Sequence, residues 1–275
     1  MVNLPAQPLA ALLLSCAPFL AQAQIHAGCS RALRVPVAPI GLAVTVKDGE
    51  VGGIYPDLLR AEIAKTGCTM EFQVVPRSRQ EMLFETGQAD LLLPARRSAR
   101  RDAHGIFVPM IRSRAVLLSL RSRQLPAHSV AELLEHRELR VAVVRGYDYD
   151  GRYQSLVKQF AAEGRLVESA DPLSLARALD ADIADVAVIT PTAVTGALRA
   201  TPKLSAWVDR LHAEPVDELP WGESGAYVSR SSSLSDADRQ RALEMLERIG
   251  RSGAAWRAFQ HYHPDSNLSD SVRPR

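Results

Sequence analysis

Residues 87–109 read GQADLLLPARRSARRDAHGIFVP, and the order of residue types in this stretch decides how the chain folds. Gly87 is a common residue at the end of a helix, and Leu91 to Leu93 form a short apolar run typical of a strand in a parallel sheet. Ser98 then offers an N-cap for a new helix, with Arg101 three residues further on. The stretch therefore predicts a helix end, a buried strand and a second helix start.

The spacing Ser98-x-x-Arg101 can build a small anion site. A serine N-cap leaves backbone N–H groups free to meet an anion, and an arginine in the first turn can bring its planar guanidinium to the same anion. This spacing suggests a carboxylate-binding site. The simpler alternative is an ordinary surface helix whose arginines are solvated.

The four arginines between residues 96 and 101 also suggest a nucleic-acid patch, but the composition argues against it. The chain has 275 residues, with 33 Lys and Arg against 31 Asp and Glu, a formal charge of +2. A balance this close to neutral lacks the electrostatic footprint of a nucleic-acid binder. We therefore expect no nucleic-acid partner.

No common motif for a cofactor, a metal or a nucleophile is present in the sequence. There is no P-loop, GxGxxG, HExxH, CxxC or GxSxG. His261 and His263 form the only close histidine pair, and an i, i+2 spacing near a C-terminus is a poor metal site. We therefore expect no cofactor and no metal.

The N-terminus has the features of an export signal. The first 23 residues carry no charged side chain, and a short apolar run ends before Ala21-Gln22-Ala23. This pattern predicts a signal peptide, residues 1–23, cleaved after Ala23. Leu13-Leu14-Ser15-Cys16 offers an alternative, because it resembles a lipobox that would make Cys16 a lipid anchor.

Once Cys16 has left with the signal peptide, Cys29 and Cys68 remain. Each precedes a strand-like run, and the starts of two parallel strands in a β-α-β unit are neighbours. In an exported protein an even pair of this kind predicts a disulfide. The alternative is two buried free thiols.

Strand and helix patterns alternate along the rest of the chain, which predicts α/β architecture. We expect strands at 33–38, 69–75, 90–93, 115–120, 139–144, 186–189 and 225–229, and helices at 57–66, 78–86, 153–161, 172–179, 236–249 and 254–262. Two β-α-β-α-β units joined by extended segments suggest two lobes with a ligand cleft between them.

The opening stretch resembles the G-x-x-D … T-x-x-R … F-x-x-P-Y pattern of family 3 periplasmic solute-binding proteins, the amino-acid-type receptors of ABC importers. Other stretches resemble family segments in the same order along nearly all of the mature chain. The matching stretches are 33–39 (LRVPVAP), 52–68 (GGIYPDLLRAEIAKTGC), 76–79 (PRSR), 141–153 (VAVVRGYDYDGRY) and 225–234 (GAYVSRSSSL).

The resemblance implies a two-lobed periplasmic-binding-protein-like fold, in which each lobe is a mostly parallel sheet flanked by helices and two strands form the hinge. The implied divisions are lobe 1 at 24–112 and 226–263, lobe 2 at 113–225, and hinges near 111–115 and 223–226. The polar composition of residues 264–275 predicts a disordered tail.

The same resemblance implies a monomeric periplasmic protein that captures a small, carboxylate-bearing solute for an ABC importer or a membrane sensor. Ser98 and Arg101 stand where the family's Thr and Arg hold the ligand carboxylate. Gly146 is expected to donate its backbone N–H to the ligand, and Arg77 lies in a loop that lines the cleft.

Thr190 stands where the family usually has an Asp for the ligand's ammonium group, so a buried ammonium would lack a counter-charge. A carboxylate without an ammonium group and a basic solute both remain open, as does a purely structural role without a ligand.

An enzyme is the alternative, because periplasmic cyclohexadienyl dehydratases resemble these receptors. Such an enzyme needs a general acid in the cleft. Asp148, Asp150 and Glu223 are candidates by position. We favour the receptor and assign no catalytic residue.

Overall fold

The computed structural model describes residues 1–2, 28–264 and 268–275. The predicted cleavage after Ala23 and the alternative anchor at Cys16 lie outside the described residues. Within the described part of the chain, no helix is both long enough and apolar enough to cross a membrane.

Lobe 1 begins the chain with a parallel strand pair, a small hairpin and three helices. Its elements are β1 (Leu33–Val37), β2 (Thr45–Lys47), β3 (Glu50–Gly52), α1 (Ile54–Ile63), β4 (Met70–Val74), α2 (Arg77–Glu85), β5 (Leu91–Arg96), α3 (Ala99–Asp102) and β6 (Gly105–Ser113).

Lobe 2 follows as a five-stranded sheet with helices on both faces. Its elements are β7 (Val116–Leu120), α4 (Val130–Glu135), β8 (Val141–Val144), α5 (Gly151–Ala162), β9 (Leu166–Ser169), α6 (Pro172–Asp180), β10 (Val186–Ile189), α7 (Pro191–Arg199), a 3₁₀ helix (Pro202–Arg210) and β11 (Leu211–Glu214). The strand order is β11-β7-β10-β8-β9, in which β8 is parallel to both β9 and β10.

The chain then returns to lobe 1. The returning elements are β12 (Gly222–Ser229), α8 (Asp236–Arg251), α9 (Ala254–Tyr262), a second 3₁₀ helix (Leu268–Asp270) and β13 (Val272–Pro274). The order β13-β6-β12-β5 is antiparallel throughout, while β1 and β4 pair in parallel. Lobe 1 therefore contains more antiparallel pairing than predicted, because its two crossing strands, β6 and β12, run in opposite directions.

Alternate residues of β8 show how lobe 2 buries both faces of its sheet. Val141 and Val143 belong to one apolar cluster, whereas Ala142 and Val144 belong to another on the opposite face. A short strand that is apolar at every position is what a sheet covered by helices on both sides requires.

Two crossings connect the lobes. The first lies between Ser113 and Val116, within the predicted segment 111–115. The second lies before Gly222, because Gly222 pairs with Ser113 and the rest of β12 continues along β6 in lobe 1. The predicted limit of lobe 2 at 225 and the predicted hinge at 223–226 are therefore a few residues too late.

The predicted disordered tail is wrong for its last residues. In β13, Val272 pairs with Ser113 and is buried, and the backbone N–H of Arg114 donates to the Ser271 carbonyl at 3.0 Å. The Arg273 guanidinium also lies over the Trp221 ring, 4.2 Å from its centroid. A polar sequence predicts no buried core, but backbone pairing at the edge of a sheet needs only an occasional apolar side chain.

Asp90 fixes β1 to β5. Its buried carboxylate accepts two N–H groups of Arg31, at 2.6 and 2.8 Å, and the backbone N–H of Arg34 at 2.7 Å. Burial alone would raise the pKa of Asp90, but the bonds from Arg31 and Arg34 lower it to about 2. The carboxylate therefore stays ionised, and the Asp of the G-x-x-D pattern has a structural role in this chain.

The predicted disulfide is present in the structure. Cys29 and Cys68 are bonded, with their Cα atoms 4.6 Å apart. The bridge closes a loop of 39 residues in sequence separation, which in the chain-entropy description stabilises the fold by about 4 kcal/mol.

We predict that replacing Cys29 and Cys68 together by serine lowers the free energy of unfolding by about 2–4 kcal/mol. Urea denaturation of the parent protein, with and without reductant, supplies the matched comparison. Equal denaturation midpoints for oxidised and reduced protein would show that the bridge contributes no stability.

Candidate functional site

A cavity of about 100 Å³ lies between the two lobes. One water needs roughly 10–15 Å³ by the same measure, so the cavity has room for a small solute. Lobe 1 lines it from the end of β5, from α2 and from the C-terminal segment, and lobe 2 lines it from the loop after β8 and the start of α7. The lining includes Arg77, Arg96, Arg101, Phe259, Val272, Tyr147, Asp148, Tyr149 and Thr190.

The lobes touch each other at two glycine contacts, which close the cleft. A Cβ atom on Gly196 of α7 would lie 2.5 Å from the Leu42 nitrogen of lobe 1. A Cβ atom on Gly146 of lobe 2 would lie 2.9 Å from the Ser78 nitrogen, and Gly146 has a φ of +82°. Only glycine permits backbones to approach so closely, so the structure shows the closed form.

A buried carboxylate, Glu81, organises the lobe 1 side of the cavity. Its two oxygens accept Nε and Nη2 of Arg101 at 3.0 and 2.8 Å, and Nη2 of Arg77 lies 2.5 Å from Oε1. Arg100 adds a contact at 3.0 Å from the exposed side. Burial alone would raise the pKa of Glu81, but the charges of Arg77 and Arg101 lower it below its usual value.

Arg96 is the buried cation without a carboxylate partner. It is 8% exposed, and Nη1 donates to the Ser113 carbonyl at 2.8 Å. Among the described residues, no carboxylate lies within 4.0 Å of its guanidinium and Nε has no hydrogen-bond acceptor. Burial lowers the pKa of Arg96, with Arg101 adding to this effect. The guanidinium also lies over the Tyr149 ring, 5.2 Å from its centroid.

Further donors on residues that line the cavity have no hydrogen-bond acceptor within the described chain. Two of them are Nε of Arg77 on lobe 1 and the hydroxyl of Tyr147 on lobe 2. Burial raises the pKa of Tyr147, so its hydroxyl keeps its proton and can donate it. A buried donor without an acceptor costs about 1–3 kcal/mol. Buried donors of this kind on residues that line one cavity favour an acceptor-rich ligand.

Comparison with solved structures reveals the same architecture in binding proteins. The chain is similar to a histidine kinase sensor domain described as resembling periplasmic binding proteins, with 19% identity over 84% of this chain and 96% of that one, at a TM-score of 0.66. It is similar to an amino-acid ABC transporter substrate-binding protein from Streptococcus pneumoniae bound to L-arginine, with 16% identity over 85% and 94%, at 0.65.

A third similar structure is the arginine-, lysine-, histidine-binding protein from Geobacillus stearothermophilus, with 13% identity over 87% and 98% of the two chains, at 0.68. The chain has the two-lobed periplasmic-binding-protein fold. No protein-family model and no curated protein match the sequence.

Within this binding-protein fold, three of the predicted site residues line the cavity. They are Arg77, Arg101 and Thr190. Arg101 is only 1% exposed, and four of its five N–H groups are already used: two by Glu81, one by the Arg96 carbonyl at 2.9 Å and one by the Asp148 carbonyl at 3.2 Å. At most one N–H of Arg101 (5 − 4) is left for a ligand.

The other two predicted residues, Ser98 and Gly146, line a neighbouring depression instead. Ser98 is the N-cap of α3, as predicted, and accepts the Arg101 N–H at 3.5 Å. Its own backbone N–H donates to the Tyr227 hydroxyl at 3.1 Å, so it is not free for an anion. Gly146 forms one of the two contacts that close the cleft.

The three carboxylates considered for general acid catalysis make structural contacts. Asp150 caps α5 by accepting the Tyr153 N–H at 2.9 Å. Glu223 lies 3.6 Å from Arg97 at the surface. Asp148 lines the cavity but accepts Gln154 at 3.1 Å and lies 3.6 Å from Arg100.

Sequence reasoning missed Glu81, Arg96 and Tyr147. Arg96 was not among the predicted site residues, but β5 continues past Leu93 and pairs Arg96 with Ser224, and the Arg96 side chain is buried. Glu81 stands four residues after Arg77 in α2, and this i, i+4 spacing was the available indication of an ion pair. Tyr147 directly follows Gly146, but the sequence does not show that its hydroxyl lacks a partner.

We predict that Gly196→Ala keeps the cleft open. Alanine favours the helical conformation of α7 by about 1 kcal/mol, so the lobe itself should fold, but the added methyl group would collide with the backbone at Leu42. Any solute that closes the parent protein should bind this variant at least tenfold more weakly and give no decrease in radius of gyration by X-ray scattering.

Gly151→Ala is the matched control, because nothing lies within 4 Å of a Cβ atom at Gly151 in α5. It should bind and close like the parent protein. If Gly196→Ala also behaves like the parent protein, the glycine contact is not required for closure.

Proposed function

We propose that the chain is an exported solute-binding protein that captures a small anion, with a carboxylate as the expected group, in the cavity between its lobes. The observation that supports this function is the buried, unpaired guanidinium of Arg96. Removing a cation from water without a counter-charge costs several kcal/mol. An anionic solute in the cavity would offset that cost.

The positions of the donors suggest how binding is coupled to closure. Arg77 and Arg96 belong to lobe 1, whereas Tyr147 belongs to lobe 2, and all three line the same cavity. An anion held by both sets of donors contacts more groups in the closed form than in an open one. This differential contact is the physical requirement for ligand-driven hinge closure.

The proposal keeps Arg77 as a ligand contact and Thr190 as a wall residue of the cavity, and it replaces Ser98 and Arg101 by Arg96 as the anion anchor. Gly146 has a role in closure rather than in ligand binding. Arg101 positions the site by holding Glu81 and by bonding the Asp148 carbonyl of lobe 2.

We extend this proposal to the cellular location of the protein and to its membrane partner. The predicted signal peptide and the disulfide between Cys29 and Cys68 support a periplasmic site of action. Similar structures include an ABC transporter binding protein and a histidine kinase sensor domain, so an ABC permease or a membrane sensor is the expected partner. We propose that the chain works as a monomer.

We predict that a thermal-shift screen of the mature protein against small carboxylates, inorganic anions and amino acids yields an anionic hit. A ligand at 100 times its dissociation constant adds about 2.7 kcal/mol of stability. Arg96→Gln should weaken that hit by about 30-fold or more, since removing one partner of a buried charge pair costs about 2 kcal/mol or more.

Arg97→Gln is the matched control, because the neighbouring Arg97 is 57% exposed and pairs with Asp102 and Glu223. It should leave the affinity within about threefold of the parent protein. The ligand-free Arg96→Gln variant should unfold no earlier than the parent protein, since it loses an unpaired buried charge. Equal affinities of the two variants for the hit would contradict the proposed anchor.

A further inference from the structure

Several buried side-chain groups on the residues that line the cavity are donors without an acceptor, and this restricts the chemistry of the solute. The Nε groups of Arg77 and Arg96 can only donate hydrogen bonds, and the protonated Tyr147 hydroxyl is without a partner in the described chain. One N–H of Arg101 adds a fourth donor. A solute that satisfies these groups must bring several acceptor atoms and few donors of its own.

The charges at the cavity also favour a solute that is rich in acceptors, and in particular an anion. Arg77, Arg96 and Arg101 are buried cations, and Glu81 and Asp148 are the buried anions that face them. Arg100 contacts both acids from the exposed side and is itself paired with Glu85, so four positive charges against three negative ones leave an excess of one positive charge at the site. A monoanion would neutralise it, whereas a zwitterionic α-amino acid brings no net charge and would leave it uncompensated.

The cavity also lacks a counter-charge for an ammonium group. Thr190 is neutral, its hydroxyl donates to the Arg114 carbonyl at 3.0 Å, and its N–H donates to the Tyr149 hydroxyl at 2.8 Å. Asp148 is the one acid among the described residues that line the cavity. Its carboxylate is already shared between Gln154 and Arg100.

The rest of the wall is mostly apolar. Ile40, Ile111, Phe259 and Val272 line the cavity, and the Tyr149 ring lies under Arg96. Such a wall contributes affinity by removing apolar surface of the solute from water. It offers no charged group to a polar side chain at the far end of the solute.

We propose that the solute is a small 2-oxo acid, a carboxylate with a neighbouring carbonyl oxygen and an apolar body, rather than the corresponding α-amino acid. This inference rests on the proposed function, because it assigns a solute class to the same cavity. The carboxylate would accept from Arg96 and Arg77. The oxo group would supply the additional acceptor that Tyr147 needs, in place of an ammonium group that would bring three more donors.

The test uses pairs of solutes that differ only at the α-carbon. Isothermal titration calorimetry would compare pyruvate with alanine, 4-methyl-2-oxovalerate with leucine, and phenylpyruvate with phenylalanine on the mature protein. We expect the oxo acid of the best-fitting pair to bind more than tenfold more tightly than its amino acid. An amino acid that binds within tenfold of its oxo acid, or more tightly, overturns the inference.

Thr190→Asp, with Thr190→Asn as its neutral control, provides a second measurement. Aspartate at this position would supply a counter-charge to an ammonium group and repel the oxo acid, so the preference ratio should fall at least tenfold in Thr190→Asp and stay within threefold in Thr190→Asn. An unchanged ratio in Thr190→Asp would contradict the inference.

The outcomes also separate this inference from the proposed function. If neither member of any pair binds, or only amino acids bind, the oxo-acid inference is wrong. An anion from the screen that still requires Arg96 would in that case leave the proposed function intact. The absence of any anionic hit would overturn both.

Discussion

The bidentate bond between Glu81 and Arg101 sets how the arginines around the cleft are paired. Glu81 is buried and takes two N–H groups of Arg101, and it also neutralises Arg77. One carboxylate is shared among three arginines, and the fourth cation in the cluster, Arg96, has no carboxylate partner in the described chain. The anion specificity we propose is therefore a consequence of how the arginines are paired inside lobe 1.

Closure of the cleft turns this local charge into a functional site. The contacts at Gly146 and Gly196 bring Tyr147 and Thr190 of lobe 2 to the same cavity as Arg77 and Arg96. The C-terminal segment completes the wall, because β13 pairs beside the first crossing and buries Val272 there. Asp90 and the disulfide hold lobe 1 together at its N-terminal end.

The sequence predicted the fold better than it predicted the site, for physical reasons. Apolar runs such as 186–189 and 91–93 depend on local periodicity, and the helix end at Gly87 depends on the positive φ that glycine adopts easily; the structure confirms both. Helix α7 was not predicted, because Gly196 lowers the helical propensity of this segment. In the structure, Gly196 allows α7 to lie close to the backbone at Leu42 of lobe 1. The tail was misjudged because its polar residues pair through the backbone.

The choice between Arg96 and Arg101 depends on partners that are distant in sequence. The Ser98-x-x-Arg101 spacing correctly predicted that Arg101 lies at the start of a helix. The spacing did not show that the Arg101 guanidinium is already bonded to Glu81, 20 residues away in sequence. The deciding measurement is a crystal structure of the complex with the tightest-binding solute. We expect an anionic group of the solute within hydrogen-bond distance of the Arg96 guanidinium, with the Glu81–Arg101 pair intact. A solute bound to Arg101 with Glu81 displaced, or bound at Ser98, would contradict this expectation.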